Sequence, residues 1–181
     1  MENNLVFGIM GSSRGEIPDE NIEKAFQLGV EIAKQGCTTL TGGCTGLPFQ
    51  SLKGAESKNG ETIVISPGRT KKEHTENYQS PLLQTNKVIY SGFGDMGRTI
   101  LNIRTSDILV FVQGGAGTLA EFGQAIGEKK MIGVLINTGG ISDKLRELLS
   151  VIDHKNEVIF EKDPVLLIRR LIDVYNSSTK Q

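Results

Sequence analysis

The 181-residue chain has no tryptophan, two histidines, two cysteines and five prolines. Each scarcity removes a class of protein. Cys37 and Cys44 match neither a redox pair nor a zinc motif, so no disulfide framework is expected and the reading is a soluble, cytoplasmic protein. His74 and His154 have no partners at ligand spacing, so no metal site is expected. Lys plus Arg number 20 against 21 Asp plus Glu, a net charge of −1. A protein that binds nucleic acid by neutralising phosphates usually carries a basic excess, so no nucleic-acid partner is expected. No apolar run approaches the roughly 18 residues that cross a bilayer, which argues against a membrane partner. The amino terminus lacks the basic segment of a secretory signal. No Gly-x-Ser-x-Gly elbow is present, and no Gly-Lys-Ser/Thr follows any glycine turn, which argues against a serine hydrolase and a P-loop NTPase.

Glycine, in contrast, is abundant at 22 residues, and it clusters where strand-like runs end. Short apolar runs predict strands at 5–10, 38–40, 61–66, 87–90, 108–112, 131–136 and 158–160. Helical spacing predicts helices at 19–34, 48–57, 95–105, 118–128, 142–151 and 163–175. The polar, charged stretch 67–85 reads as a long loop. The strands are continuously apolar and alternate with helices. That is the pattern of a mostly parallel sheet of about seven strands covered on both faces, a three-layer α/β/α fold. Residues 1–176 read as a single domain and 177–181 as a flexible tail.

Ligands of such folds sit at the carboxyl ends of the strands. Glycine-rich turns fall there after the first, second and fifth strands. Glycine lets backbone amides approach a ligand closely, and a helix start adds unpaired N–H donors and partial positive charge. Gly114, Gly115, Gly117 and Thr118 therefore form a candidate phosphate cradle, with Gly11, Ser12, Ser13 and Gly43 as further candidate contacts. Gly115 to Ala120 fits G-x-G-x-x-A, but no acid follows at the end of the next strand, where Asn137 stands, so a dinucleotide fingerprint is incomplete. Glu121 has two readings. Thr118-Leu119-Ala120-Glu121 spells a capping box, and a carboxylate one turn past a phosphate cradle also reaches a sugar attached to that phosphate. Arg98 stands near a helix start beside the exit Gly92-Phe93-Gly94, whereas Arg104, at the far end of that helix, reads as solvated. Cys44 lies inside the second glycine turn without a neighbouring His, which disfavours a thiol nucleophile.

Gln113 to Glu121 resembles the PGGxGTxxE signature of the LONELY GUY (LOG) family, long labelled "lysine decarboxylase-like". Ile9 to Gly15 resembles that family's first glycine loop, Thr41 to Leu47 its GGG-x-x-GLM turn, and Val64 to Pro67 its V-I-P strand end. The resemblance implies a Rossmann-like fold, a homodimer or higher oligomer, no bound cofactor, and hydrolysis of a nucleoside 5′-monophosphate to free base and ribose 5-phosphate. It implies Arg98 and Glu121 as the catalytic pair. Nothing in the chain suggests a pyridoxal phosphate site, so decarboxylation is not implied. The signature Pro is Gln113 here, the Arg-Lys pair is Arg98-Thr99, and Asn102 replaces a Met. Arg98 to Asn102 is more similar to a sister branch that also resembles molybdenum-cofactor carrier proteins and, more remotely, the DNA-processing protein DprA. That branch implies the alternative of a non-catalytic binder or carrier of a nucleotide or phosphorylated cofactor.

Overall fold

In the computed structural model, which describes residues 4–84 and 87–178, seven strands form one sheet in the order β4-β3-β2-β1-β5-β6-β7. They are β1 (Val6–Gly11), β2 (Thr38–Thr41), β3 (Thr62–Ser66), β4 (Lys87–Tyr90), β5 (Ile108–Val112), β6 (Met131–Leu135) and β7 (Val158–Glu161). Every pairing is parallel. The helices between them are α1 (Asp19–Lys34), α2 (Leu47–Glu56), α3 (Gly94–Thr105), α4 (Ala116–Gly127), α5 (Leu145–Leu149) and α6 (Pro164–Ser178). Among the described residues no helix is long and apolar enough to cross a membrane.

The central strand explains the continuous apolar runs. All of β5 is buried. Its alternate residues Ile108, Val110 and Val112 enter one core with Phe7, Leu28, Ile32 and Leu167. Leu109 and Phe111 enter a second core with Ile103, Phe122, Ile132 and Leu145. Side chains of a strand alternate between faces, so a strand covered twice must be apolar at every position. Burying each of these side chains contributes about 1.5–3 kcal/mol. Phe111 and Phe122 meet edge to face with centroids 5.3 Å apart, which fixes α4 against β5.

Four expectations shift. α4 begins at Ala116, two residues before the expected Thr118, because extended Gly115 serves as its N-cap. The expected helix 142–151 is a 3₁₀ turn (Ser142–Lys144) followed by the short α5. The Asp143 carboxylate accepts from the N–H groups of Asn137 and Gly139, which ties that turn to the preceding loop. The stretch 67–85 is not all loop: a helical segment starts at 71 and contains a π-helical turn, Glu73–Asn77, pinned by buried His74. α6 continues past the expected end at 175 to Ser178, with Ser177 and Ser178 donating to the carbonyls of Asp173 and Val174. The rest of the expected tail, 179–181, lies outside the described residues.

Candidate functional site

The strand order reverses around β1, whose neighbours β2 and β5 carry the chain away in opposite directions. Such a switch point opens a crevice outside the carboxyl ends of the strands. The three glycine turns after β1, β2 and β5 meet there, stapled by named bonds. The Gly114 N–H donates to Ser12 Oγ at 3.0 Å. The Leu47 N–H donates to the Ser12 carbonyl at 2.9 Å, and Thr45 Oγ1 to the Ser13 carbonyl at 2.7 Å. They enclose a cavity of about 810 Å³. Its wall includes Gly11, Ser12, Ser13, Arg98, Gly114, Gly115, Gly117, Thr118 and Glu121. Gly43 stands behind the wall: a Cβ there would meet Val64 and the His74 ring, and Cys44 and Thr45 face the cavity in its place.

The amino terminus of α4 supplies the donors. Its first helical bond runs from the Leu119 N–H to the Gly115 carbonyl, so the N–H groups of Ala116, Gly117 and Thr118 have no helical acceptor. Gly114 plays a different part from these three. Its N–H is already held by Ser12, and its missing side chain leaves room for Thr118, at φ +88°. Gly115 and Gly117 have no such reason. A Cβ on either would meet nothing within 4 Å. Packing within the chain does not require glycine at these two positions, yet both line the cavity.

Glu121 makes no cap. α4 has no side-chain cap bond, which removes the capping-box reading and leaves the carboxyl on the cavity wall one turn into the helix. Burial pushes its pKa from 4.5 up to about 7, and the charge of Arg98 pulls it partly back. Arg98, on α3, is 7 % exposed. Its Nη2 donates to Asp95 Oδ1 at 3.4 Å and to Cys44 Sγ at 3.7 Å, and its Nε has no partner. A buried guanidinium with one long ion pair to a mostly exposed carboxylate is incompletely compensated. Arg104, by contrast, is exposed and paired with Glu128.

Gln113 marks the largest departure from the LOG signature. Its φ is +54°. Its N–H donates to Thr138 Oγ1, its Oε1 accepts from Asn21 Nδ2, and its Nε2 donates to the Glu16 carbonyl. Proline fixes φ near −65° and has no N–H, so the signature residue does not fit this backbone. Gln113→Pro is expected to lower unfolding free energy by about 2–4 kcal/mol, read as a shift in urea midpoint. An unchanged midpoint would refute the need for a positive φ and these hydrogen bonds at position 113.

Sequence reasoning did not single out Tyr78, Gln79 and Ser80, nor Asp95, Met96 and Gln124, all of which line the cavity. For the last of these a signal existed: Gln124 follows Glu121 at helical spacing on one face.

An all-parallel sheet of this order, with its crevice at the switch point, defines a Rossmann-like α/β protein. Within that class the chain belongs to the SLOG cluster4 family, whose model matches residues 4–168. An uncharacterized protein of Archaeoglobus fulgidus is 32 % identical over 133 residues, 72 % of this chain and 80 % of that protein. Among solved structures, the molybdenum cofactor binding protein from Rippkaea orientalis is similar at 26 % identity and TM-score 0.77, over 97 % of this chain and 99 % of that one. The molybdenum cofactor carrier protein from Chlamydomonas reinhardtii is similar at 26 % identity and TM-score 0.75, over 94 % and 99 %. DNA processing protein A from Helicobacter pylori, at 20 % identity and TM-score 0.67 over 94 % and 81 %, shares the fold.

Proposed function

We propose that this chain binds and carries a small phosphorylated heterocyclic ligand, a nucleotide or a phosphorylated cofactor such as the molybdenum cofactor. The observation that carries this reading is the pair Gly115 and Gly117. Both line the cavity, both leave room for a side chain, and neither has one. Their place is at the start of α4, where unpaired amides and the helix dipole favour an anion. Arg98 adds a buried, under-compensated positive charge to the same cavity. The similar proteins from R. orientalis and C. reinhardtii, which bind or carry the molybdenum cofactor, support a carrier over a catalyst.

Gly117→Ala tests this directly. Alanine fits the space and favours the helix, so stability is expected to stay level or rise by up to about 1 kcal/mol. Its methyl would stand where the phosphate approaches, and affinity for ribose 5-phosphate, measured by calorimetry, is expected to fall at least 10-fold. Undiminished affinity in a well-folded variant would overturn the cradle.

One observation favours a second reading. A Glu121 carboxyl with a pKa of about 7 both donates and accepts protons near neutrality, and it shares the cavity with Arg98. In that reading the ligand is a nucleoside 5′-monophosphate whose C1′–N bond is cleaved by water, giving free base and ribose 5-phosphate. Glu121 would activate the water and oppose the positive charge growing on the ribose, while Arg98 would orient the substrate. Release of free base from a panel of monophosphates separates hydrolase from carrier.

A further inference from the structure

The cavity is longer than its anion-binding end. Its lining runs from the β5 exit past the β1 and β2 exits to residues 78–80, in the connection that follows β3. A sugar phosphate held at α4 leaves the β3 side open. The chain that follows β3 reaches the cavity there through Tyr78, Gln79 and Ser80. Among the described residues Tyr78 is the one aromatic side chain in the lining, and its hydroxyl lies 3.9 Å from where a Cβ on Gly94 would stand, at the start of α3. Met96, 71 % exposed, also lines this cavity. The wall is otherwise mainly polar, and its large apolar surfaces are these two.

His74 anchors the segment that carries Tyr78. It is completely buried. Its Nδ1 lies 2.9 Å from Ser66 Oγ, at the end of β3, and its Nε2 lies 3.5 Å from the Pro81 carbonyl. The Pro81 carbonyl can only accept, so in the neutral ring that makes this contact Nε2 carries the proton and Nδ1 accepts from Ser66 Oγ, which itself accepts the Gly68 N–H. The His74 carbonyl accepts the Ser80 N–H at 3.1 Å. The imidazole thus ties both ends of the turn that presents Tyr78 to one strand end. It also backs Gly43 after β2, where a Cβ would stand 2.7 Å from His74 Cε1.

We propose that residues 71–84 form the recognition element for the distal, planar end of the ligand, with Tyr78 as the surface on which a heterocyclic ring stacks and His74 as its positioning residue. This rests on the anion-binding reading and names what lies beyond the phosphate. Aromatic surfaces take flat heterocycles with little regard to their hydrogen-bonding edge, so the ligand class is a monophosphate bearing a planar ring.

The test is calorimetric titration of the full-length protein with ribose 5-phosphate, the four common nucleoside 5′-monophosphates and a pterin monophosphate. The wild type is expected to prefer at least one ring-bearing ligand over ribose 5-phosphate. Tyr78→Ala is expected to reduce that preference ratio at least 10-fold, and Tyr78→Phe to keep it. His74→Ala is expected to reduce the ratio similarly, and the double variant to fall no further than Tyr78→Ala alone, the coupling that a positioning role requires. If His74→Ala does not fold, the two Tyr78 variants still decide the stacking surface. Ribose 5-phosphate binding without any preference for a ring, or a ratio unmoved in Tyr78→Ala, overturns this proposal alone. A wild type that binds none of these ligands overturns the anion-binding reading with it.

Discussion

Glu121→Gln is expected to make the protein more stable at neutral and alkaline pH while removing any hydrolytic activity. The folded carboxyl has a pKa of about 7, against 4.5 ordinarily, because burial penalises its charge more than Arg98 relieves it. Below pH 4.5 the folded and unfolded states both hold the proton, and the group costs nothing. Between 4.5 and 7 the unfolded chain releases the proton and the folded chain keeps it, so stability falls as pH rises. Above 7 both states are ionised and the cost is complete, about 3 kcal/mol at roughly 1.4 kcal/mol per pKa unit. Glutamine has the same shape and no proton to lose. Its stability advantage should therefore grow from pH 4.5 to pH 7 and then level off. Urea midpoints at pH 5, 6, 7 and 8 measure it, and an advantage that does not change with pH would contradict the raised pKa of this carboxyl.

The same variant separates the two functional readings. A carrier does not need Glu121 as a base, so the Glu121→Gln protein should hold ribose 5-phosphate at near wild-type affinity and nothing further should change. A hydrolase loses its proton acceptor, and base release should fall by two orders of magnitude or more, within the range typical of general acid–base catalysis. A carboxyl held at a stability cost beside an under-compensated arginine is the kind of local conflict that functional sites retain.

The architecture was legible because its causes are local. β5 reads Ile-Leu-Val-Phe-Val since each of its faces meets a helix layer, and that pattern needs no knowledge of which helices they are. The turns at Gly11–Ser13 and Gly114–Thr118 were legible because each follows a strand, and parallel strands must all exit on one edge. Thr118 to Glu121 was ambiguous, since its pattern does not say where α4 begins; Gly115 decides that by serving as N-cap in extended conformation. Tyr78 was hidden because residues 67–85 have no period. The described part, 67–84, is tied down in part by an imidazole bonded to a serine on another element, a contact that spacing does not report. Gly43 follows a strand like the others, but the side on which a Cβ would stand is filled by Val64 and His74, which spacing does not report either.

Gly42→Ala gives the sharpest test of Arg98, because it removes the arginine from its seat without altering it. A Cβ on Gly42 would stand 1.0 Å from Arg98 Nη1, so alanine and the guanidinium cannot coexist there. The Gly42 backbone is not left-handed, and alanine adopts its conformation without strain. The expected result is a folded protein with the guanidinium displaced. Hydrogen bonds to charged groups contribute about 1.5–3 kcal/mol, so affinity for ribose 5-phosphate should fall roughly 10- to 150-fold. Glu121 should respond too. Arg98 is the charge that lowers its pKa, and moving it away should carry that pKa further upward, seen as a wider pH range over which stability declines. Combining Gly42→Ala with Arg98→Ala should weaken binding no more than Arg98→Ala alone, since both remove the same interaction. Additive losses would mean that Gly42 acts on the ligand by another route, and wild-type affinity in Gly42→Ala would mean that Arg98 does not hold the anion at all.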